Sequence, residues 1–324
     1  AIEVDVDVVC DGTDVYVGGV MEHIEEAGIH SGDSSCVLPP YNMDEEQYAT
    51  MIAYTKAMAR KLGVVGLMNV QYALQHGKIY VIEANPRASR TVPFVAKATG
   101  VPLVEIAMRV MLGEKLKDME VRDYDLTSDR VAIKEPVFPF TKFPKVNIFL
   151  GPEMRSTGEV MGMDSSFGSA IMKSHISAGN SLPLNGSVFI SLQPRDKTAR
   201  AVEIARGYTD LGFTIVATRG TATYLQENGV PAETVLKHYE GRPSIVDNIK
   251  NGDIQLLINT PLGENARYDE YVMGHTAMRY KIPFFTTLAA ADASLEGIRA
   301  LRTQKRVVRS LQEYYAGTNE RGTT

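Results

Sequence analysis

Residues 2 to 9 alternate acidic or polar with apolar side chains, Asp11-Gly12 marks a turn, and Val15 to Met21 runs apolar again. Successive side chains of a strand point to opposite faces, so this pattern predicts a β-hairpin. Beyond a polar stretch with Gly, Ser and Pro that runs through Pro40, apolar positions recur at helical spacing over residues 44 to 62, and Asp44 stands where an N-cap is expected. Strands are predicted over 64 to 74 and 78 to 84, turning at His76-Gly77, and a helix over Pro102 to Leu112, ended by Gly113. The span 114 to 186 is mixed, with the Gly- and Met-rich GPEMRSTGEVMGM and a helix after Ser165. Small and turn-forming residues gather over Ser177 to Gly186, which places a domain boundary there. From Ser187 the rhythm changes to short apolar strands alternating with helices: SVFISL, a helix from Lys197, FTIVA, a helix from Thr221, LLIN, a helix from Tyr268, and FFTT. That alternation predicts a parallel α/β sheet.

Composition narrows the classes. At 324 residues, with 44% hydrophobic and 23% charged side chains, the chain is of ordinary globular type, and its length suggests about two domains. A formal net charge of −5 argues against a nucleic-acid partner, so any anionic ligand must meet local positive charge. Cys10 and Cys36 are too few for a disulfide framework and lack metal-ligand spacing, which fits structural thiols in a reducing cytoplasm or organelle matrix. No run approaches the ~20 apolar residues of a membrane span, so no membrane partner is expected. The opening AIEVDVDVVCDG lacks the features of a signal peptide and begins on strand-like alternation, so the first residue is expected to fall inside a domain.

The segment MNVQYALQHGKIYVIEANPRASRT is the most informative. Glu83 and Asn85 are two apart on a predicted strand and share a face, and a hairpin centred on Gly77 sets Gln71 opposite Glu83. One carboxylate and two amide oxygens would then converge, a hard donor set suited to Mg²⁺ on nucleotide phosphates. The same residues also fit a plain solvated sheet face. Arg87 and Arg90 follow, spaced to direct guanidinium groups at phosphate or carboxylate oxygens, although exposed arginines are common. In the second half, Thr218-Arg219-Gly220-Thr221 brings two hydroxyls, a glycine and free backbone N–H groups to a helix start. Lys197 and Lys237 add charge and Asn259-Thr260 ends a strand where α/β sheets hold ligands. Singly these are a cap, solvated lysines and a strand terminus. Together they suggest an anion pocket.

Glu3, EHIEEAGIHSGDS (22 to 34), MNVQ (68 to 71) and IEANPRASRTVPFV (82 to 95), in that order, resemble the second ATP-grasp half of the carbamoyl phosphate synthetase large subunit, and the region after 187 is similar to its terminal allosteric domain. The resemblance implies an α/β and α+β chain: an incomplete ATP-grasp lobe, an antiparallel sheet with helices, over 1–113, its continuation and linker over 114–186, and a parallel-sheet, Rossmann-like domain of the methylglyoxal-synthase (MGS) type over 187–324. It further implies ATP-dependent phosphorylation of carbamate to carbamoyl phosphate, feeding pyrimidine and arginine synthesis. Glu3 would bind the ribose hydroxyls, with Gly28, Ile29, His30 and Ser31 against the nucleotide. Gln71, Glu83 and Asn85 would hold two Mg²⁺ or Mn²⁺ ions on the ATP phosphates, with Glu83, Arg87 and Arg90 at the phosphoryl-transfer centre. Glu22, His23 and Ser35 lie near the family's monovalent-cation (K⁺) site. Lys197, Thr218, Thr221, Lys237 and Asn259 would bind an effector such as UMP or IMP; Pro261 and the variable Arg219 leave its identity open. Glu25, Asp33 and Glu135 match acidic positions associated with ornithine, but Phe285 replaces an aromatic hydroxyl expected near Thr287. Implied partners are the missing front of the large chain, a small glutaminase subunit and an oligomer of the full enzyme. The lobe carrying the lysine and arginine that cover the triphosphate precedes this segment in the family, so poor ATP binding is expected of the chain alone. Alternatives are another ATP-grasp ligase, such as a biotin-carboxylase-like enzyme, or an inert remnant attached to a regulatory binding module.

Overall fold

The computed structural model describes residues 1–121, 130–140, 142, 150–260 and 267–316. Contacts divide the chain into two compact units, the first built on Ala1–Lys134 with Met163–Ser165 and the segment from Lys305, the second on Glu135–Gly162 with Ser166–Gln304.

In the first unit the predicted hairpin is β1 (Ile2–Asp11) and β2 (Val15–Glu26), paired antiparallel. β1 also pairs antiparallel with β4 (Val65–Gln75), which pairs with β5 (Lys78–Asn85). The β4–β5 turn has His76 at φ 51° and Gly77 at φ 74°, the two positive values a tight two-residue hairpin requires. A short β3 (Cys36–Leu38) joins β2 to Ala132–Lys134 of β6 (Val131–Val137), so the strands of this unit run β5-β4-β1-β2-β3-β6; β7 spans Gly158–Asp164.

The even residues of β1, from Val4 to Cys10, pack with Met68, Val70, Tyr72 and Leu74 of β4 against α1 (Glu45–Lys61). Asp44 caps α1 as expected, accepting from Gln47 N while the Gln47 side chain accepts from Asp44 N. The opposite face is covered by α2 (Val92–Thr99) and α3 (Leu103–Met111), whose Phe94, Val95, Ile106 and Val110 are buried. Neither β3 nor α2 was expected from the pattern. α2 starts on Val92-Pro93, where proline costs no helical hydrogen bond. It lies tight on β2, since a Cβ at Gly19 would come within 2.8 Å of Val95 Cγ1.

The second unit is the predicted parallel sheet, in the order β10-β9-β8-β11-β12: Glu233–Val235, Thr214–Thr218, Ser187–Ser191, Leu256–Asn259 and Phe284–Phe285. Side chains alternate between two cores. Val188 and Ile190 join α5 (Ala199–Asp210) and α9 (Leu288–Thr303), while Phe189, Val216 and Leu257 join α7 (Ile245–Asn251) and α8 (Arg267–Arg279). Burial on both faces explains the continuous apolar runs. Helix starts differ slightly from expectation: Lys197 caps a short 3₁₀ turn before α5, and α6 spans Arg219–Glu227, opening at Arg219 rather than Thr221. α10 (Leu311–Ala316) closes the described chain.

The expected boundary over 177 to 186 does not coincide with the division of contacts. α4 (Phe167–Ser177) precedes it yet packs on α9 within the second unit, because Gly168 lets the helix approach the Glu296 carbonyl and Gly297 lets α9 approach Ile171. Those small residues carried no visible periodic signal.

Candidate functional site

The face of the first sheet that α1 does not cover is polar at its centre. β4–β5 pairing sets Gln71 opposite Glu83 and Asn69 opposite Asn85. β1–β4 pairing sets Asp5 opposite Gln71 and Asp7 opposite Asn69. Residues paired in register share a face, so these six side chains form one band across three strands.

Exposure falls along the band. Glu83 is exposed, Gln71 and Asn85 are half-buried, and Asp5 and Asp7 are fully buried. Asn85 Nδ2 donates to Glu83 Oε1 at 2.8 Å, leaving the second Glu83 oxygen and the Asn85 amide oxygen available. Among the described residues no His/Cys/Asp/Glu group suited to a metal ion occurs. A divalent cation here would therefore rely on amide oxygens beside one carboxylate, and the donors Gln71, Glu83 and Asn85 fit a hard, partly hydrated ion on phosphates. Arg87 and Arg90 are exposed on the loop that leaves β5; Arg87 N donates to Asn85 O and its guanidinium reaches Ala88 O.

The remaining sequence candidates fall in two groups. Glu3 is buried on β1 and its Oε2 accepts from Gly28 N at 3.2 Å, so the structure brings these two together. Burial raises the Glu3 carboxyl above its ordinary range, with His23 acting in the opposite sense. His30 Nδ1 accepts from Gly32 N, Ile29 is half-buried, and Ser31 O accepts from Lys134. Lys134 is 1% exposed and its ammonium also reaches Ser34 O at 2.6 Å, tying down the loop from Gly28 to Ser35. Glu22 is turned to a local task, accepting from Tyr41 N, Asn42 N and Asn42 Nδ2, and Ser35 N donates to Glu25. Asp33 is buried, and its N donates to His30 O.

His23 Nε2 meets Asp5 Oδ2 at 2.7 Å, both buried. Burial opposes charge on the imidazole, but the Cys36 sulfur and the Asp5 carboxylate carry its pKa well above the usual value. Burial likewise opposes charge on Asp5, and hydrogen bonds from His23 and Asn69 bring it below the usual range. Asp7 differs. Burial, with Asp5 nearby, pushes it up to about 6 despite donors at Thr91, Asn69 and Ser89.

The sequence reading missed Asp5, Asp7, Asn69, Ser89, Thr91 and Lys134. Its own alternation held the signal: Glu3, Asp5 and Asp7 fall at every second position of an otherwise apolar strand, a costly placement unless that face is a polar site.

In the second unit, the strand order sets the ends of β9, β8 and β11 side by side, carrying Thr218, Ser191 and Asn259. Thr218 Oγ1 lies 3.2 Å from Thr221 Oγ1, which accepts from Leu192 N, and Thr260 Oγ1 accepts from Gln193 N. Lys197 Nζ donates to Gly220 O at 2.7 Å, at the start of α6. Thr218 is the N-cap residue of α6 without a side-chain cap bond. Lys237 follows β10, its ammonium 5.9 Å from the Tyr239 ring centroid. The cluster thus occupies the carboxyl end of a doubly wound sheet. Glu135 Oε1 lies 3.3 Å from His175 Nδ1, His175 packs edge-on to Phe285, and Thr287 caps α9 through Ala290 N. Pro261 lies outside the described residues.

Residues 2–119 match the carbamoyl-phosphate synthase L chain ATP-binding domain, and residues 200–286 match the MGS-like domain. Carbamoyl phosphate synthase large chains of Archaeoglobus fulgidus and Gemmatimonas aurantiaca are 53% and 52% identical to 97% of this chain. Residues 2–119 thus belong to the carbamoyl-phosphate synthase L chain ATP-binding domain family and residues 200–286 to the MGS-like domain family, and nearly the whole chain is similar to carbamoyl phosphate synthase large chains. It spans 29% of the length of either relative. Among solved structures, a biotin carboxylase domain of a single-chain bacterial carboxylase is similar at TM-score 0.43 and 16% identity, covering 54% of this chain and 46% of that one. A Kluyveromyces lactis urea carboxylase is similar at TM-score 0.42 and 15% identity, covering 53% and 17%. The two domain assignments rest on sequence, not on these low scores. Glu3 and the band of Asp5, Asp7, Asn69, Gln71, Glu83 and Asn85 lie wholly inside the segment matched to the ATP-binding domain.

Proposed function

We propose that the first unit is the metal-and-phosphate half of a site that phosphorylates carbamate with ATP, within a carbamoyl phosphate synthase large chain. The observation that carries this is the β4–β5 register, which sets Gln71, Glu83 and Asn85 on one face inside the segment matched to the ATP-binding domain. Phosphoryl transfer asks of a protein mainly charge neutralisation and positioning, and this donor set with two adjacent arginines meets that demand. Bound Mg²⁺ or Mn²⁺, two per site, would neutralise the triphosphate and polarise its terminal phosphoryl group. Glu83 and the amide oxygens of Gln71 and Asn85 would hold the ions. Arg87 and Arg90 direct guanidinium groups to the transferring oxygens, and Glu3 with the Gly28–Ser31 loop receives the nucleoside. A K⁺ ion near His23, Glu22 and Ser35 belongs to the same reading. The preceding part of the large chain, a small glutaminase subunit, assembly into an oligomer and a cytoplasmic setting complete it. No described helix is long and apolar enough to cross a membrane.

The strand-end cluster of the second unit binds a phosphorylated effector, a UMP- or IMP-like nucleotide, through Thr218, Thr221, Lys197, Lys237 and Asn259. An uncapped helix start with hydroxyls and a lysine beside it supports this. The test is carbamate-dependent ADP formation by the large chain carrying this sequence. Glu83→Gln is expected to lower it at least 100-fold, and Thr218→Val to leave it intact while removing the nucleotide response. Normal turnover in Glu83→Gln would overturn the assignment.

A further inference from the structure

Thr91 occupies the N-cap position of α2, where a threonine hydroxyl ordinarily accepts a backbone N–H of the first turn, yet it makes no such bond. Its hydroxyl donates instead to Asp7 Oδ2, while Ser89 Oγ donates to Asp7 Oδ1 at 2.8 Å. The two hydroxyls also touch one another. Asn69 Nδ2 completes the set, reaching Asp7 Oδ1 at 3.0 Å and Asp5 Oδ1 at 3.2 Å, and Asp5 is in turn held by His23. Asp7 has no exposed surface, and the groups seen to donate to it, Thr91, Ser89 and Asn69, are neutral. A buried carboxylate with only neutral donors is expensive, and burial pushes this one up to about 6. A residue so placed does little for stability that an apolar one would not do better. What it does uniquely is collect two hydroxyls from the short segment between Asn85 and α2, on either side of Arg90.

Arg87 and Arg90 are exposed, and on either side of Arg90 the Ser89 and Thr91 side chains bind the segment to Asp7 of β1. The approach is close because β2 offers Gly19 opposite Asp7, so α2 descends until Val95 meets the glycine. Sequence, packing and hydrogen bonding thus converge on one point beneath the arginines.

We propose that Asp7 is a positioning residue for phosphoryl transfer: its buried carboxylate, oriented by Asn69, anchors Ser89 and Thr91 and so fixes the segment that carries Arg87 and Arg90. The role of the arginines rests on the function proposed above; the anchoring does not. A catalytic guanidinium misplaced by 1 Å can lose about 100-fold in rate, so anchoring of this kind is expected in turnover more than in ligand affinity.

Two measurements test it. In the first, trypsin cleavage after Arg87 and Arg90 is followed by mass spectrometry in the 324-residue chain, with cleavage after Arg60 in α1 reporting unfolding of the same unit. Ser89→Ala/Thr91→Val and Asp7→Asn are expected to speed the two loop cuts at least tenfold with the Arg60 cut unchanged. Loop cuts within twofold of the parent would overturn the anchor. In the second, ATP formation from ADP and carbamoyl phosphate is measured in the large chain carrying this sequence. Thr91→Val is expected to lower kcat at least tenfold with KM for ADP within threefold, and Thr91→Ser, which keeps the hydroxyl, to restore kcat. Equal kcat in the Ser and Val variants would overturn the positioning role. A parent large chain with no such reaction would instead sink the proposed function, while the proteolysis result would still decide the anchor.

Discussion

Replacing Gly19 by alanine sets a methyl group against α2. The added Cβ would lie 2.8 Å from Val95 Cγ1 and 3.3 Å from Leu38 Cδ1. Carbon atoms rest about 3.5–4.0 Å apart, so roughly 1 Å of clearance must be found. Val95 is β-branched on a helix and has one strongly preferred χ1, so the helix yields before the side chain does. Overpacking of this kind costs about 1–3 kcal/mol. A shift of about 1 Å also takes the Thr91–Asp7 hydrogen bond out of range. The assay is urea unfolding of Gly19→Ala, Val95→Ala and the double variant. Val95→Ala alone removes two buried methyl groups, worth about 1.6 kcal/mol in transfer and more with the cavity left behind. In the double variant the new methyl faces that space, so the two costs should fall short of additivity by about 1–2 kcal/mol. A Gly19→Ala chain within about 0.5 kcal/mol of the parent, or strict additivity, would refute the packing account.

Lys134→Met leaves the Ser31 and Ser34 carbonyls without their ammonium; unsatisfied buried acceptors cost about 1–3 kcal/mol, partly offset by removal of a buried charge, so net destabilisation with faster amide exchange over Gly32 to Ser35 is expected, and parent-like exchange would contradict it. Tyr72→Phe removes a hydroxyl shared with Thr55 and the Met51 carbonyl, for an expected loss of about 1 kcal/mol in chemical denaturation; a gain in stability would contradict it. Because the folded-state pKa of Asp7 is raised to about 6 from 3.8, the folded chain takes up a proton before the unfolded chain does as pH falls, so this group favours folding increasingly below about pH 6 and penalises it above. From pH 7.5 to 5 that linkage adds about 1.4 kcal/mol of stability, which Asp7→Asn should abolish; an unchanged pH dependence in the variant would argue against a titrating Asp7.

Much of the fold was legible because its elements declare themselves locally. Strict alternation marked β1, Asp44 marked the start of α1, and the Gly77 turn fixed which residue faces Glu83. The uninterrupted apolar strands after Ser187 could only be buried on both faces, and they are. What stayed hidden depends on long-range contact. α2 is eight residues with a proline second, too short for periodicity to reveal, and α4 belongs with α9 through glycines whose meaning appears only when the helices touch. The same holds within the site. Gln71, Glu83 and Asn85 stand out as a hairpin motif, whereas Asp7 and Thr91 are 84 positions apart and meet only because Gly19 lets α2 settle. Thr91 even imitates an ordinary N-cap in sequence, and only its geometry shows the hydroxyl turned away.

The central claim is that Gln71, Glu83 and Asn85 hold the divalent ions of an ATP site. Its most direct test is the anomalous scattering of Mn²⁺ in crystals of the large chain carrying this sequence, grown with ADP. The account predicts peaks about 2.0–2.2 Å from a Glu83 carboxylate oxygen, with an amide oxygen of Gln71 or Asn85 in the same coordination sphere. Nucleotide-bound Mn²⁺ at some other group, with Glu83 and Asn85 still paired only to each other, would contradict it.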